Sequence, residues 1–193
     1  MKISGMLLIM EALLILGGVF ENAVSRAAGG RGRAVFFLLA LFLLSGFALR
    51  PHDDVTIGAS AVLAAVWTGV NTFTVRENRL SAMLVFPAAL TLGALTAPLA
   101  SLGTEASAYA AGLIAAPCGL LLGERTGTAA AALAPVTACA LCFMLKLPGN
   151  AGAAFELTEY CLSVQLAGFL AVFAAPAVKI ALVRTAVRKP SAV

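Results

Sequence analysis

Glu11 is the residue best placed to do chemistry, because it stands alone in an apolar run from about Ile3 to Phe20. A carboxylate in such a run must face a cavity, meet a partner or keep its proton, since charge is expensive where water is excluded. It can relay a proton or hold a cation. Asn71, Thr72 and Gln165 also interrupt apolar runs, where hydrogen bonding between helices is the simplest role. A second group is acidic and lies between runs: Asp53 and Asp54 in Arg50-Pro51-His52-Asp53-Asp54, then Glu105, Glu156 and Glu159. Carboxylates gathered at one surface concentrate cations and offer hard oxygen ligands to a divalent metal. The transport or ion-binding candidates are therefore Glu11, Asp53, Asp54, Glu156, Asn71 and Gln165.

Other chemistries find less support. Cys118, Cys139, Cys142 and Cys161 lie in or beside apolar runs. Cys139 and Cys142 share a helix face, but structural zinc commonly takes two such pairs, and the sole histidine, His52, is in a distant segment. Buried cysteine as a small hydrophobe is the plainer reading. There is no phosphate-binding glycine loop, serine elbow or His-Glu-x-x-His motif. An enzyme is not expected, and no motif identifies a cofactor.

The elements that must position these residues follow from composition. Of 193 residues, 61% are hydrophobic and 11% charged, and the mean hydropathy is +1.00. Soluble domains carry about 45–50% apolar and about 25% charged residues, and need a polar shell. Aromatics are scarce at 7%, while Ala and Gly, which let membrane helices approach closely, are abundant. A β-barrel would alternate polar and apolar residues under aromatic girdles; here the apolar runs are unbroken.

A spanning helix takes about 20 mostly apolar residues. Seven stretches qualify: about Ile3 to Phe20, Ala34 to Leu49, Val55 to Val75, Leu80 to Leu102, Ala106 to Gly123, Thr126 to Leu147 and Leu157 to Val183. Short connections predict antiparallel neighbours in one transmembrane domain over residues 1–193. The first run is read as a retained span rather than a cleaved signal, because Glu11 sits inside it and Arg26, Arg31 and Arg33 follow.

Basic residues orient the spans. One side collects Arg26, Arg31, Arg33, Arg76, Arg79, Arg125, Arg184, Arg188 and Lys189, and the other Lys2, Arg50 and Lys146, nine against three. The positive-inside rule then puts the N-terminus outside and the C-terminus in the cytoplasm of a prokaryotic inner (plasma) membrane. The net charge of +4 reads as topology and not as a nucleic-acid surface, because these residues punctuate the runs.

Pro87, Pro98, Pro117, Pro135 and Pro176 fall at span depth, and each removes a backbone donor, which helps build kinks and cavities. The stretch Pro148-Gly149-Asn150-Ala151-Gly152-Ala153-Ala154-Phe155-Glu156 is small and apolar for a surface turn. It is expected to tuck between helix ends and bring Glu156 toward Asp53 and Asp54.

Three segments carry a resemblance: Thr56-Ile57-Gly58-Ala59, Ala108-Tyr109-Ala110-Ala111-Gly112 with Gly119, and Gly149-Asn150-Ala151-Gly152-Ala153-Ala154-Phe155-Glu156. They resemble a family of small prokaryotic polytopic membrane proteins classed as a domain of unknown function. The family pattern has an aspartate where Glu156 stands and another where Leu121 stands, so a shared two-carboxylate chemistry does not carry over. The resemblance implies a helical membrane protein and no particular activity.

The expected fold is an all-α transmembrane bundle of about seven spans. The expected function is a cation or small-solute transporter or channel-like protein. The alternatives are a substrate-binding or scaffold subunit of a larger membrane complex and, third, an intramembrane enzyme. The expected partners are the lipid bilayer and either further copies of the chain or other membrane subunits.

Overall fold

A computed structural model describes residues 3–52, 55–74, 79–102, 105–145, 155–156 and 158–187. Among these the chain is helical throughout except for one small sheet. In order, the elements are α1 (Ile3–Leu16), α2 (Glu21–Ala28), α3 (Arg31–Leu44), β1 (Ala48–His52), β2 (Val55–Gly58), α4 (Ala59–Thr74), α5 (Arg79–Leu102), α6 (Glu105–Leu122), α7 (Glu124–Leu145), β3 (Phe155–Glu156) and α8 (Thr158–Val187).

The first apolar run is not one helix. α1 ends at Leu16, and α2 leaves at 106° to it. The bend needs two residues in the left-handed region, Gly18 at φ 76° and Phe20 at φ 63°. Glycine adopts this region without strain, whereas Phe20 must be held there by packing, and it packs on the main core. α2 is amphipathic: Ala23 and Val24 are buried while Glu21, Asn22, Ser25 and Arg26 are exposed.

The second and third runs are also shorter than expected, because a hairpin separates them. Ser45 ends α3 by donating its hydroxyl to the Phe42 carbonyl at 2.6 Å. β1 and β2 then pair antiparallel, with Leu49 opposite Ile57 and His52 opposite Val55. The register slips between these pairs, where Pro51 has no N–H to give the ladder. Thr56, Ile57 and Gly58, expected to open a helix, are thus strand, and α4 begins at Ala59. β3 adds in parallel to β2, with Val55 opposite Phe155 and Thr56 opposite Glu156.

Next-but-one helices make the closest pairs, α5 with α7 and α6 with α8. Small residues allow this. A Cβ on Gly112 would lie 2.9 Å from the Ala167 carbonyl carbon, and one on Gly119 would lie 3.0 Å from the Val172 carbonyl oxygen. Both numberings rise together, so α6 and α8 run parallel. α7 is antiparallel to α8, since Gly168 meets Ala131 and Cys161 meets Cys139. Successive helices pack as neighbours, α7 antiparallel to α8, and close glycine contact in addition ties the parallel, non-consecutive α6 and α8.

By length and composition one helix among the described residues, Tyr160–Ala186, passes alone as a membrane span, with a third of its apolar window buried. The bent pair Ser4–Leu16 and Glu21–Ala28 passes jointly, and Ala59–Asn71, Met83–Leu99 and Tyr109–Leu122 are shorter apolar helices.

Candidate functional site

α1, α3, α4, α7 and α8 converge on a pocket that α2 flanks with Ala27 and Ala28. α1 supplies Glu11 and, one turn on, Ile15. α4 supplies Trp67, Thr68 and Asn71, the first and last also one turn apart and so on one face. α8 supplies Phe169 and Phe173 at the same spacing, α3 supplies Phe37 and α7 supplies Thr128. About 40 Å³ is open to water centres.

Glu11 is 2% exposed, and its Oε1 has no hydrogen-bond partner. An unpaired buried carboxyl oxygen is costly and rare. Phe37 stacks on Trp67 with ring centroids 5.5 Å apart and an interplanar angle of 20°. It meets Phe169 at 6.4 Å in a tilted arrangement. The two threonines bond back to their own helices: Thr68 donates to the Ala64 carbonyl at 2.6 Å and Thr128 to the Arg125 carbonyl at 2.8 Å.

The candidates divide. Glu11 and Asn71 line one pocket. Gln165 does not line that pocket; it braces the helices, the interhelical bonding expected of a polar residue in an apolar run. Its fully buried side-chain nitrogen donates to the carbonyls of Ala132 on α7, at 2.7 Å, and Ala61 on α4, at 3.1 Å. Asp53 and Asp54 lie outside the described residues, as do residues 149–154. The backbone of Glu156 is in β3, opposite Thr56. Leu121, the other position of the resembled pattern, is 83% exposed in the last turn of α6.

Several participants carry little signal in the sequence. Trp67, Phe169 and Phe173 read as ordinary apolar residues, although a one-turn pairing with a polar residue or a second aromatic was a usable signal. The ion pair of Arg26 with Glu124, at 3.2 Å, and that of Arg31 with Glu21 tie α2 to α7 and α3. Cys139 and Cys161 meet at 3.8 Å between α7 and α8. Among the described residues no group of three His, Cys, Asp or Glu is arranged to hold a metal.

No protein-family model, curated protein or solved structure matches the chain. The chemistry of the site rests on its own residues.

Proposed function

We propose that this chain is a multi-pass inner-membrane protein that carries a cation or small cationic solute through the Glu11 pocket. The observation that carries the reading is the Glu11 carboxyl, buried, with its Oε1 unpartnered, and lining a cavity with Asn71, Thr68 and Thr128. A group so costly to bury has a use when a ligand completes it.

Membrane embedding is supported by where the large side chains lie. Met83 at 72% exposure, Leu113 at 73%, Leu121 at 83% and Met144 at 76% point outward, while Ala61, Ala64, Ala129, Ala130 and Ala132 are buried. Large apolar side chains so exposed beside buried alanines suit small-residue packing within lipid. At about 1.5 Å per residue, α5, α7 and α8 reach or exceed the roughly 30 Å hydrocarbon thickness and α6 falls just short. α1, α3 and α4 are shorter and rely on flanking residues or local thinning. With α2 lying along the surface, the remaining seven helices keep the seven-crossing topology. Arg26, Arg31 and Arg125 then mark the cytoplasmic end, toward which the pocket lies. Kinship with the resembled membrane family is part of this proposal.

The test is electrogenic flux in proteoliposomes pulsed with NaCl, KCl or NH4Cl. Current should follow at least one of these salts and should vanish in Glu11→Gln. Wild-type protein silent to all three would remove the transport reading.

A further inference from the structure

We propose that the Glu11 pocket selects small ammonium ions, ammonium itself and primary alkylammonium ions of one or two carbons, over alkali cations. This rests on the reading of the pocket as a cation site and names its substrate class. Three independent features of the lining lead there.

The first is hydrogen-bond sense. Glu11, when ionised, only accepts hydrogen bonds. Thr128 has given its hydroxyl hydrogen to the carbonyl of Arg125, so its hydroxyl can present only lone pairs to the pocket. Asn71 offers a carbonyl beside its amide. A lining so biased toward acceptors suits a ligand made of donors. An ammonium group is such a ligand, with three or four N–H bonds and no acceptor. An anion would meet the unpartnered Oε1 of Glu11.

The second is the wall. Phe37, Trp67, Phe169 and Phe173 give aromatic surface where an alkali ion needs oxygens to replace its water shell. Aromatic faces attract ammonium ions through the ring quadrupole and also cover a short alkyl chain. A divalent cation is served worse still, because one carboxylate is far from the set of six or more oxygens it takes.

The third is size. The cavity is small, about 40 Å³, which favours short ammonium ions over bulky ones, and tetramethylammonium also has no N–H to donate.

The chain carries a reporter, since Trp67 is its sole tryptophan and lines the pocket. The experiment titrates full-length protein in lipid nanodiscs with the chlorides of ammonium, methylammonium, ethylammonium, tetramethylammonium, sodium and potassium at constant ionic strength, reading Trp67 emission. Saturable change is expected for the first three, with at least tenfold weaker response to the last three. Glu11→Gln should weaken ethylammonium at least tenfold. Thr128→Val, which keeps size and removes an acceptor, should weaken it severalfold and leaves a test should the first variant fold poorly. Equal response to sodium or potassium would overturn ammonium selectivity and leave the cation-transport reading standing. Saturable ethylammonium binding without flux in proteoliposomes would keep the selectivity and remove transport. No response to any of the six salts would overturn the cation site itself.

Discussion

Gln165 and Ala132 are joined by a 2.7 Å bond from side-chain amide to main-chain carbonyl, linking α8 to α7 in the interior. The same nitrogen reaches Ala61 on α4 at 3.1 Å, so one residue fixes three helices. Its Oε1 is buried without a partner. Gln165→Leu loses two interhelical bonds of about 0.6 kcal/mol each on average but also removes the unpaired oxygen. We expect a loss of about 1 kcal/mol in equilibrium unfolding. Gln165→Glu exchanges the donors for a buried charge and should be the more damaging of the two. Equal stability of Gln165→Glu and wild type would contradict the bonding.

The α6–α8 contact makes a sharper prediction. A side chain at Gly112 meets backbone of Ala167, which cannot rotate away, whereas at Gly5 nothing lies within 4 Å. Gly112→Val should therefore force the helices apart and lower the melting temperature in detergent by many degrees. Gly5→Ala should be neutral or slightly stabilising, by up to about 1 kcal/mol of helix propensity. Tolerance of valine at position 112 would refute the parallel packing.

Arg26 and Glu124 are unequally placed: their side chains are 62% and 11% exposed. Exposed pairs are worth about 0–1 kcal/mol, but Glu124 loses water in the fold and depends on its partner more than Arg26 does. A double-mutant cycle with Arg26→Ala and Glu124→Ala should give a coupling near 1 kcal/mol, and Arg26→Ala alone should loosen α2 from α7. Proteolysis between α1 and α3 reports that loosening; an unchanged rate would mean that apolar contacts alone hold α2.

The parallel pairing of β2 with β3 sets Thr56 opposite Glu156. Strands in a sheet lie about 4.8 Å apart, inside the Cα range that a disulfide bridges. In a background with the native cysteines replaced, Thr56→Cys with Glu156→Cys should cross-link on mild oxidation, and Thr56→Cys with Thr158→Cys should do so less readily. The reverse order would deny that this segment brings Glu156 alongside β2.

Topology is tested by fusions. A phosphatase fused after Lys146 should be active and a fluorescent protein fused after Lys189 should be bright. Phosphatase activity at the C-terminus would invert the orientation and move the Glu11 pocket to the opposite end.

Hydropathy, the isolation of Glu11 and the placement of arginines were all legible in the sequence, because each depends on neighbours along the chain. The largely helical character follows from the long apolar runs alone. Helix boundaries were less legible: the run through Gly17 and Gly18 looked continuous, and only the packing of Phe20 on the core and the ion pairs of α2 turn it. Likewise Thr56-Ile57-Gly58 is apolar enough for either state, and becomes strand because β1 and β3 flank it. The pairing of α6 with α8 was beyond any local signal. Gly112 and Gly119 advertise that something comes close, but Ala167 and Val172 lie far along the chain. The pocket is the same case. Glu11, Asn71, Thr128 and Phe169 come from four helices, and the hydrogen-bond sense of Thr128 depends on helix geometry. Sequence chose the apolar composition and the costly residue; tertiary structure chose its neighbours, since side chains remote in sequence meet only when helices pack.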